Sequence, residues 1–370
     1  MASRLLTQLA ERIAATRDPV EAACLRAQRG IYLARQGKYG EAQAIVDAIR
    51  AEFGARPDAV VTAWISLVEA LIHFYSQPGP KALDRLRRAH ALSRAMNHPV
   101  LVPLCAAWLA HIEFNANRME PMLQYAVEAL RLAQPTHHAA LARVSLVIAD
   151  AFHFAGRFDL AKDWYAAVRE HALADGDDAM ISAMLHNVAA LRANQVRLAD
   201  AFQQPLPEEA KRARLELDST SNYDLGIGTL SLALLIPLVR AQLLMVQGQF
   251  SDAVPLYSET LDKQNTENLD RREACFFAER AWCLIHLGNA AAAGADVESA
   301  CERIDNPADA DDVASAHARI ADVLNQLGQH ERSALHKQQS IKFKREHMNA
   351  QTALLGQLQI ALAGLTKRPG

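Results

Sequence analysis

The chain has 370 residues, a formal net charge of −3 at pH 7 and an isoelectric point near 6.5. Proteins that bind DNA or RNA normally carry a strongly basic face, so this balance predicts no nucleic-acid partner. Hydrophobic residues form 51% of the chain, but aromatic residues form only 6%. Much of the apolar fraction is alanine, the strongest helix former, so the composition predicts an all-α protein.

The cysteines and the first residues indicate a compartment. Five cysteines are scattered without a Cys-x-x-Cys pair, which disfavours both a disulfide framework and a zinc site. Residues 1–17 include Arg4, Glu11 and Arg12 and lack the apolar core of a secretory signal. No apolar run approaches the length of a membrane-spanning helix. We therefore expect a cytoplasmic protein without a membrane partner.

A spacing of forty residues recurs along most of the chain. It separates mostly small side chains, with successive gaps of 40, 40, 39, 40, 52, 40 and 40, at Ala42, Ala82, Met122, Ala161, Ala201, Ala253, Ala293 and Ser333. A fixed period of this kind predicts stacked helical repeats. A glycine precedes the small residue by five positions in several repeats and predicts a left-handed helix end there. We expect helix-to-helix turns at Gly37, Gly156, Gly248, Gly288 and Gly328.

Prolines at several seams divide the chain into repeats, since the proline ring prevents a helix from continuing. The seams are at Pro19, Pro57, Pro99, Pro135 and Pro307. We predict N-terminal repeats over 1–202, an inserted connector over 203–228 and C-terminal repeats over 229–340. The repeats lie at about 20–56, 57–97, 98–134, 135–175, 176–204, 229–267, 268–306 and 307–340. The insertion is either a plain connector or a loop that carries a specific function.

A charged helix is predicted after the last repeat, within residues 341–370. Ile341, Met348, Leu355 and Leu362 recur every seven residues, which is the spacing for packing against one other helix. Two interpretations remain open. The helix caps the apolar end of the repeats by facing Leu324 and Leu335, or it forms a homodimer through residues 341–365.

The repeats resemble the tetratricopeptide repeat (TPR) family. Gly156, Phe158, Ala161 and Tyr165 fit its turn pattern, and the same pattern recurs from Gly248 to Tyr257. The resemblance implies a right-handed α-α superhelix of about eight helical pairs. Departures are the period of forty in place of 34, the Pro78-Gly79-Pro80 turn, Asn117 at the third turn and a degenerate fifth repeat. The long repeats and the segment 342–347 are also similar to repeat regions of bacterial signalling regulators and diguanylate cyclase sensors, although no cyclase signature occurs.

No pattern in the sequence indicates catalysis, a metal or a cofactor. The fourteen histidines form no His-Glu-x-x-His motif, and the adjacent His137 and His138 would point about 100° apart on a helix. Phosphate-binding glycine loops and the hydrolase elbow Gly-x-Ser-x-Gly are absent. We therefore expect a non-enzymatic protein without a cofactor or metal.

The TPR resemblance implies a groove lined by the first helix of each repeat. Position by position, the candidate groove residues are Arg143, Asp150, His153, Phe154, Gln242, Met245, Trp282, His286, Asp322 and Asn325. This mixture suits a protein or peptide partner. Trp282 is the best anchor, or else a packing residue between two repeats. We expect a scaffold or regulator in bacterial signalling. The alternative is a sensor that binds a small molecule or a signal peptide inside the superhelix.

Overall fold

The fold is described from a computed structural model that covers residues 3–76, 79–229, 235–261, 272–306 and 308–366. Within these ranges the chain forms seventeen α-helices and no β-strand. The predicted all-α class is therefore confirmed. The predicted seam at Pro307, Pro78 of the predicted second turn, and parts of the predicted repeats at 229–267 and 268–306 lie outside the described residues.

The helices follow one another with short connections. The first nine are α1 (Arg4–Ala15), α2 (Pro19–Arg35), α3 (Tyr39–Phe53), α4 (Ala59–Ser76), α5 (Pro80–Ala95), α6 (Leu101–Asn115), α7 (Met119–Leu132), α8 (His138–Phe154) and α9 (Phe158–Asp175). The others are α10 (Asp178–Ala201), α11 (Pro207–Ile227), α12 (Leu235–Val246), α13 (Phe250–Leu261), α14 (Glu273–His286), α15 (Ala290–Arg303), α16 (Ala310–Gln326) and α17 (His330–Thr366).

After the lead helix α1, the helices form eight consecutive pairs from α2 and α3 to α16 and α17. Within a pair the two helices pack on each other, as α4 does on α5 and α14 on α15. The first helix of one pair also packs on the first helix of the next, as α2 does on α4 and α14 on α16. Each pair therefore buries its apolar face mainly against its neighbours, as expected of repeats.

Five glycine turns lie where the sequence predicts them. Gly37, Gly156, Gly248, Gly288 and Gly328 have φ angles of 80°, 73°, 72°, 77° and 76°. The backbone N–H of the residue after each glycine bonds a carbonyl five residues earlier, as from Arg157 to Phe152 (2.8 Å). This arrangement closes the preceding helix, and the next helix starts one residue later. Asn117 takes the same left-handed conformation at φ 58°, which asparagine tolerates better than most residues.

The small residue five positions after the turn is buried. Ala42, Ala161, Ala253 and Ala293 are 0% exposed, and Ala82 is 2% exposed. A methyl side chain at this position lets two helices approach closely, and a larger one would need space that packed interiors lack.

The chain divides into two compact units. The first unit is Met1–Met184, Asn222–Ser231 and Leu354–Gly370, and the second is Leu185–Ser221 and Leu232–Ala353. The division falls inside α10, α11 and α17. The domain boundary predicted near residue 202 coincides instead with the turn between α10 and α11.

The predicted connector at 203–228 is mostly a helix. Its polar run continues α11 because Ser219, Thr220 and Ser221 donate their hydroxyls to carbonyls four residues earlier, at 2.8, 2.9 and 3.0 Å. Helices α10 and α11 pack through a cluster that includes Ala193 and Leu217. The segment is therefore the second helix of the fifth pair and not a separate connector.

The buried face of α17 differs from the predicted heptad. Ile341 and Met348 are 50% and 55% exposed, and Leu335, expected to face them, is 64% exposed. The buried residues are Ser340, His347, Leu354 and Leu358, at 2%, 6%, 1% and 0% exposure. Two of these residues are polar, so a pattern of apolar residues alone does not indicate this face. Capping through Ile341 and Met348 is therefore wrong, whereas the homodimer stays a prediction.

Helix α4 is an exception to the expectation that no segment could span a membrane. Its 18 residues have a mean hydropathy of 1.5, enough to cross a membrane by length and composition alone. In the structure, 56% of this window is buried, and Val68 and Leu71 belong to the core of the first unit. Such helices are also typical of protein cores. The buried Glu69 of α4 forms ion pairs with Arg50 and Arg85.

Candidate binding cavities

The first unit contains a cavity of about 550 Å³. Its walls come from α1, α2, α4, α6, α8, the end of α9 and the start of α10, and we name it the Arg143 cavity. The wall residues used below are Tyr32, Arg35, Trp64, Trp108, Arg143 and Asp177. This volume is in the range of pockets that hold small ligands or short peptide segments.

Part of this wall is formed by equivalent positions of the forty-residue repeat. Trp64, Leu104 and Arg143 line the cavity and are separated by 40 and 39 residues. These gaps equal those of the small buried residues in the same repeats, so the three positions are equivalent on α4, α6 and α8. Consecutive first helices pack side by side, which brings equivalent positions onto one surface.

Arg143 is a buried cation that forms no ion pair with any residue in the described ranges. Its side chain is 1% exposed, and its guanidinium carbon lies 3.8 Å from the centre of the Trp108 ring. Within the described residues, its Nε and Nη2 atoms have no hydrogen-bond partner. Burial lowers the pKa of Arg143 to about 10 because the charged form loses hydration that no bonded carboxylate replaces.

Arg35 lines the same cavity but has a partner. Its Nη1 donates to Oδ2 of Asp177 at 2.5 Å, and both residues are buried. Burial alone would lower the pKa of Arg35, but the Asp177 carboxylate reverses this effect and raises it. Asp177 also accepts the backbone N–H of Met180 at 2.9 Å at the start of α10. The pair therefore fixes one end of the cavity.

Charges at the rim are exposed and balanced. Glu11 and Arg12 on α1 line the cavity and are exposed. His137 and His138 lie at the start of α8, and partial burial lowers the pKa of His137. A histidine with a lowered pKa is neutral at pH 7. Asp175 is half-buried in the same wall, and burial raises its pKa. The cavity lining is therefore balanced in formal charge, and Arg143 differs from Arg35 in bonding no carboxylate among the described residues.

The other three candidate residues on α8 do not line this cavity. Asp150 and His153 are 2% and 0% exposed. Tyr165 donates its hydroxyl to Asp150 at 2.8 Å and lies 3.2 Å from Nδ1 of His153. Phe154 is half-buried and lies edge-on to Phe114, with 6.4 Å between the ring centres. In this structure Asp150 and His153 join α8 to α9, and their role in binding stays a prediction.

The second unit contains a pocket of about 460 Å³. It brings together four of the candidate groove residues, Met245, Trp282, Asp322 and Asn325, and we name it the Trp282 pocket. Trp282 is half-buried, and the Arg319 guanidinium carbon lies 4.8 Å from its ring centre. His286 lies beside Trp282, with 4.1 Å between the rings. Asp322 lines the same pocket and is half-buried, and burial raises the pKa of its carboxyl.

Gln242 is part of a buried network in the second unit. It donates its amide Nε2 to Glu279 at 3.1 Å, and Tyr257 donates its hydroxyl to the same carboxylate at 3.1 Å. Arg197 lies within 3.2 Å of Glu279 and 2.5 Å of Asp312. All of these side chains except Asp312, at 4%, are at most 1% exposed. Gln242 therefore stabilises the interior here, and its predicted contact with a partner remains untested.

The described residues show how potential metal ligands and two buried thiols are placed. Among the described residues, no group of three or more His, Cys, Asp or Glu side chains is placed to hold a metal ion. Burial raises the pKa of the Cys105 and Cys283 thiols to about 12. Such thiols remain protonated at pH 7 and are poor nucleophiles. The two cavities offer binding groups.

Sequence analysis found Arg143 but missed its neighbours. Trp108 and Trp64 lie on apolar helices, where tryptophan normally indicates core packing. Arg35 and Asp177 are far apart in sequence, and no local pattern predicts their pairing. The available signal was the repeat itself, because transferring the position of Arg143 back by 39 and then 40 residues gives Leu104 and Trp64.

Comparison with solved structures supports the fold. A Rap protein, solved in complex with competence and sporulation factor, is similar to this chain with a TM-score of 0.54 and 12% sequence identity. The similarity covers 90% of this chain and 87% of that chain. The Rap protein is a TPR-like helical solenoid, which confirms the predicted solenoid class. At this identity the similarity shows the fold alone. No family model and no curated protein sequence matches the chain.

Proposed function

We propose that the chain is a non-enzymatic receptor of the helical-repeat type that binds a short peptide in the Arg143 cavity. The observation that carries this proposal is the cavity itself, about 550 Å³ in volume, with aromatic walls and a buried arginine. Binding sites of this kind combine apolar walls with a few fixed polar groups. A small molecule of similar chemistry is the alternative occupant.

The size of the cavity favours a short ligand over a folded partner. Specific interfaces between folded proteins bury about 800 Å² on each partner, usually on an open face. The Arg143 cavity is instead bounded by seven helices of one compact unit. A peptide of a few residues, or one end of a longer segment, fits such a space.

We propose a role in bacterial signalling within the cytoplasm, and two observations support the signalling role. The repeats resemble those of bacterial signalling regulators, and the fold is similar to that of a Rap protein solved in complex with competence and sporulation factor. A receptor of this kind passes binding on as a change in the packing of its repeats, without catalysis. Such a change requires the ligand to bind two conformations with different affinity.

A second candidate function is protein binding through the Trp282 pocket. The half-buried Trp282 lies close to both Arg319 and His286. Central aromatic residues often dominate protein interfaces, and their truncation costs about 2 kcal/mol or more. Trp282→Ala should weaken the binding of such a partner by this amount while the helical content is kept. Equal affinities of the two proteins in calorimetry would place the partner site elsewhere.

Affinity selection from a pool of random five-residue peptides tests the cavity directly. Gln28 is half-buried and lines the cavity, so Gln28→Trp should fill part of the space. The matched control is Gln43→Trp, which changes a half-buried glutamine of α3 outside the cavity wall. Retained peptides are identified by mass spectrometry, and circular dichroism checks the fold of both variants.

We expect wild type and Gln43→Trp to retain the same small subset of peptides, and Gln28→Trp to retain at least tenfold less. Retention of that subset by Gln28→Trp at the wild-type level would show that peptides bind outside the cavity. A pool from which wild type retains nothing would contradict the peptide proposal.

A further inference from the structure

One edge of the Arg143 guanidinium is left without a partner. Nε and Nη2 lie on the same edge of the planar group, and their N–H bonds point the same way. Both atoms are buried, and neither has a hydrogen-bond partner among the described residues. Leaving such donors unsatisfied costs free energy, more so when they carry charge. A ligand that accepts both hydrogen bonds would recover this cost.

In two other arginines of this chain, the equivalent Nε and Nη2 edge binds a carboxylate. Arg280 donates Nε to Oδ2 of Asp296 at 2.7 Å and Nη2 to Oδ1 at 2.8 Å. Arg157 holds Asp159 in the same way, at 2.8 and 2.6 Å. Two parallel hydrogen bonds to the two oxygens of a carboxylate are the strongest pairing that arginine makes. Arg143 has the same edge, and within the part of the chain that the structure describes no carboxylate bonds to it.

The surroundings of Arg143 strengthen the preference for an anion. Arg35 also has a buried Nη2 atom without a partner among the described residues, although its Nη1 bonds Asp177. His111, 8% exposed, lies edge-on to Trp108 with 5.6 Å between the rings. Burial, followed by the charges of Arg143 and Arg35, holds the pKa of His111 well below its usual value. Arg143 and Arg35 therefore both add positive potential around His111.

The rest of the wall is apolar and aromatic. Trp64 and Trp108 are 3% and 2% exposed, and Tyr32 is 1% exposed. Leu9 and Leu104 add aliphatic surface to the same cavity. Burying apolar ligand surface against such a wall contributes about 25 cal/mol per Å². The matching ligand has one anionic end and an apolar body.

We propose that the Arg143 cavity recognises a carboxylate, held by the Nε and Nη2 edge of Arg143, on a ligand whose apolar body lies against Trp64 and Trp108. The carboxylate is either the C-terminus of a short peptide or the acid group of a free organic acid. The inference rests on the proposed function and specifies the chemistry that the cavity selects.

The first arm of the test compares ligands on wild-type protein. The pool of random five-residue peptides is prepared in two forms, with a free C-terminal carboxylate and with a C-terminal amide. In parallel, calorimetry compares octanoate with octanamide. The amides keep the apolar body and remove the negative charge. If the ligand is a peptide, the amidated peptides should bind at least tenfold more weakly than the free carboxylates. If the ligand is a free organic acid, octanamide should bind at least tenfold more weakly than octanoate.

The second arm changes the protein. Arg143→Met keeps a long apolar side chain and removes the donors, whereas Arg143→Lys keeps the charge and removes the two-pronged edge. We expect at least tenfold weaker carboxylate binding by Arg143→Met and an intermediate loss by Arg143→Lys. Arg29 is exposed on α2 and does not line the cavity, so Arg29→Met is the matched control and should bind as wild type does. Circular dichroism and urea unfolding show whether each variant is folded.

The outcomes separate the two proposals. Peptides that bind equally as carboxylates and amides would overturn the carboxylate inference and leave the peptide receptor intact. Octanoate binding without retention of any peptide would support the carboxylate inference and replace the peptide with a free organic acid. Carboxylate binding that Arg143→Met leaves unchanged would overturn the inference. Failure of every probe to bind would contradict both proposals.

Discussion

Each compact unit contains a fully buried arginine, and the two are held in opposite ways. Arg197 in the second unit is 0% exposed and lies 3.2 Å from Glu279 and 2.5 Å from Asp312. Burial alone would lower the pKa of Arg197, but Cys275, Asp312 and Glu279 raise it well above its usual value. Arg143 in the first unit is 1% exposed, bonds no carboxylate among the described residues, and has a pKa lowered to about 10.

The difference separates a group that stabilises the fold from one that is available to a ligand. Taking a charge out of water costs several kcal/mol unless bonded groups of opposite charge offset that cost. The carboxylates around Arg197 supply this offset within the protein. For Arg143 the stacked ring of Trp108 supplies only part of it, since cation–π contacts contribute about 2 kcal/mol when desolvated. Part of the cost of burying Arg143 therefore remains, and a ligand that bonds to its guanidinium would recover that part as binding free energy.

The largest expected effect follows from removing each arginine in turn. Arg197→Met leaves Glu279 and Asp312 buried with too little positive charge, so it should lower the free energy of unfolding by about 3 to 5 kcal/mol. Arg143→Met removes a buried charge that the Trp108 ring offsets only in part, so it should change the free energy of unfolding by less than about 1 kcal/mol. Urea unfolding followed by circular dichroism measures both.

Arg197→Gln is the companion variant, because it keeps hydrogen-bond donors but not the charge. It should fall between wild type and Arg197→Met. If Arg143→Met proved as destabilising as Arg197→Met, the two arginines would have the same structural role, and the contrast between the units would be lost.

A smaller effect tests the feature that the two units share. Ala161 and Ala253 occupy equivalent positions in the repeat, one in each unit, and both are 0% exposed. Replacing either with leucine should destabilise by about 1 to 3 kcal/mol through overpacking. Ala44 on α3 is exposed, and Ala44→Leu is the matched control. Unchanged thermal melts of both core variants would show that the assigned repeat phase is wrong.

Acid should weaken the second unit through His186. This histidine is 7% exposed, and burial, assisted by the charge of Arg272, lowers its pKa to about 4. The unfolded chain, with a histidine pKa near 6.5, binds more protons between these values. Stability is therefore complete above pH 6.5 and falls as the pH drops towards 4. At pH 5.5 the loss from this residue is about 1 kcal/mol.

His186→Leu removes the titrating group and should reduce the difference in stability between pH 7 and pH 5.5 by that amount. Urea unfolding of both proteins at both pH values isolates the contribution, because the other titrating groups are common to the two. An identical pH dependence in the variant would mean that His186 is protonated in the folded state as readily as in the unfolded chain.

The forty-residue repeat predicted the helical pairs and their turns well, because these features depend on residues that are close in sequence. Five glycine turns and the buried alanines depend on backbone conformation and on packing within one helical pair, which recur every forty residues. The polar run of α11 was read as a connector because serine and threonine usually favour turns. Their hydroxyls instead bond carbonyls four residues back, so the helix continues.

The candidate sites were predicted less completely because they depend on long-range pairing. Trp282 and Asp322 meet in one pocket because equivalent positions in adjacent repeats converge, which the period of forty could indicate. Asp150 and Gln242 have the same repeat position yet bond Tyr165 and Glu279 in the interior. Whether a polar side chain meets an interior partner or lines a cavity depends on its neighbours in space, and the sequence pattern does not contain that information.

The smallest expected effect is a change in the titration of His111, without a comparable change in stability. Burial is the first cause of its lowered pKa, and the charge of Arg143 is the second. Arg143→Met should therefore raise the pKa of His111 and leave that of His186 in the second unit unchanged. Nitrogen-edited NMR of the imidazole rings, recorded across pH, measures both histidines in one sample. A bound carboxylate should also raise the pKa of His111, because it neutralises the charge of Arg143. Octanoate should therefore raise the pKa of His111 in wild type and have no such effect in Arg143→Met. A His111 pKa that responds to neither change would show that the Arg143 charge is already screened, and the contrast between the two buried arginines would then have no electrostatic basis.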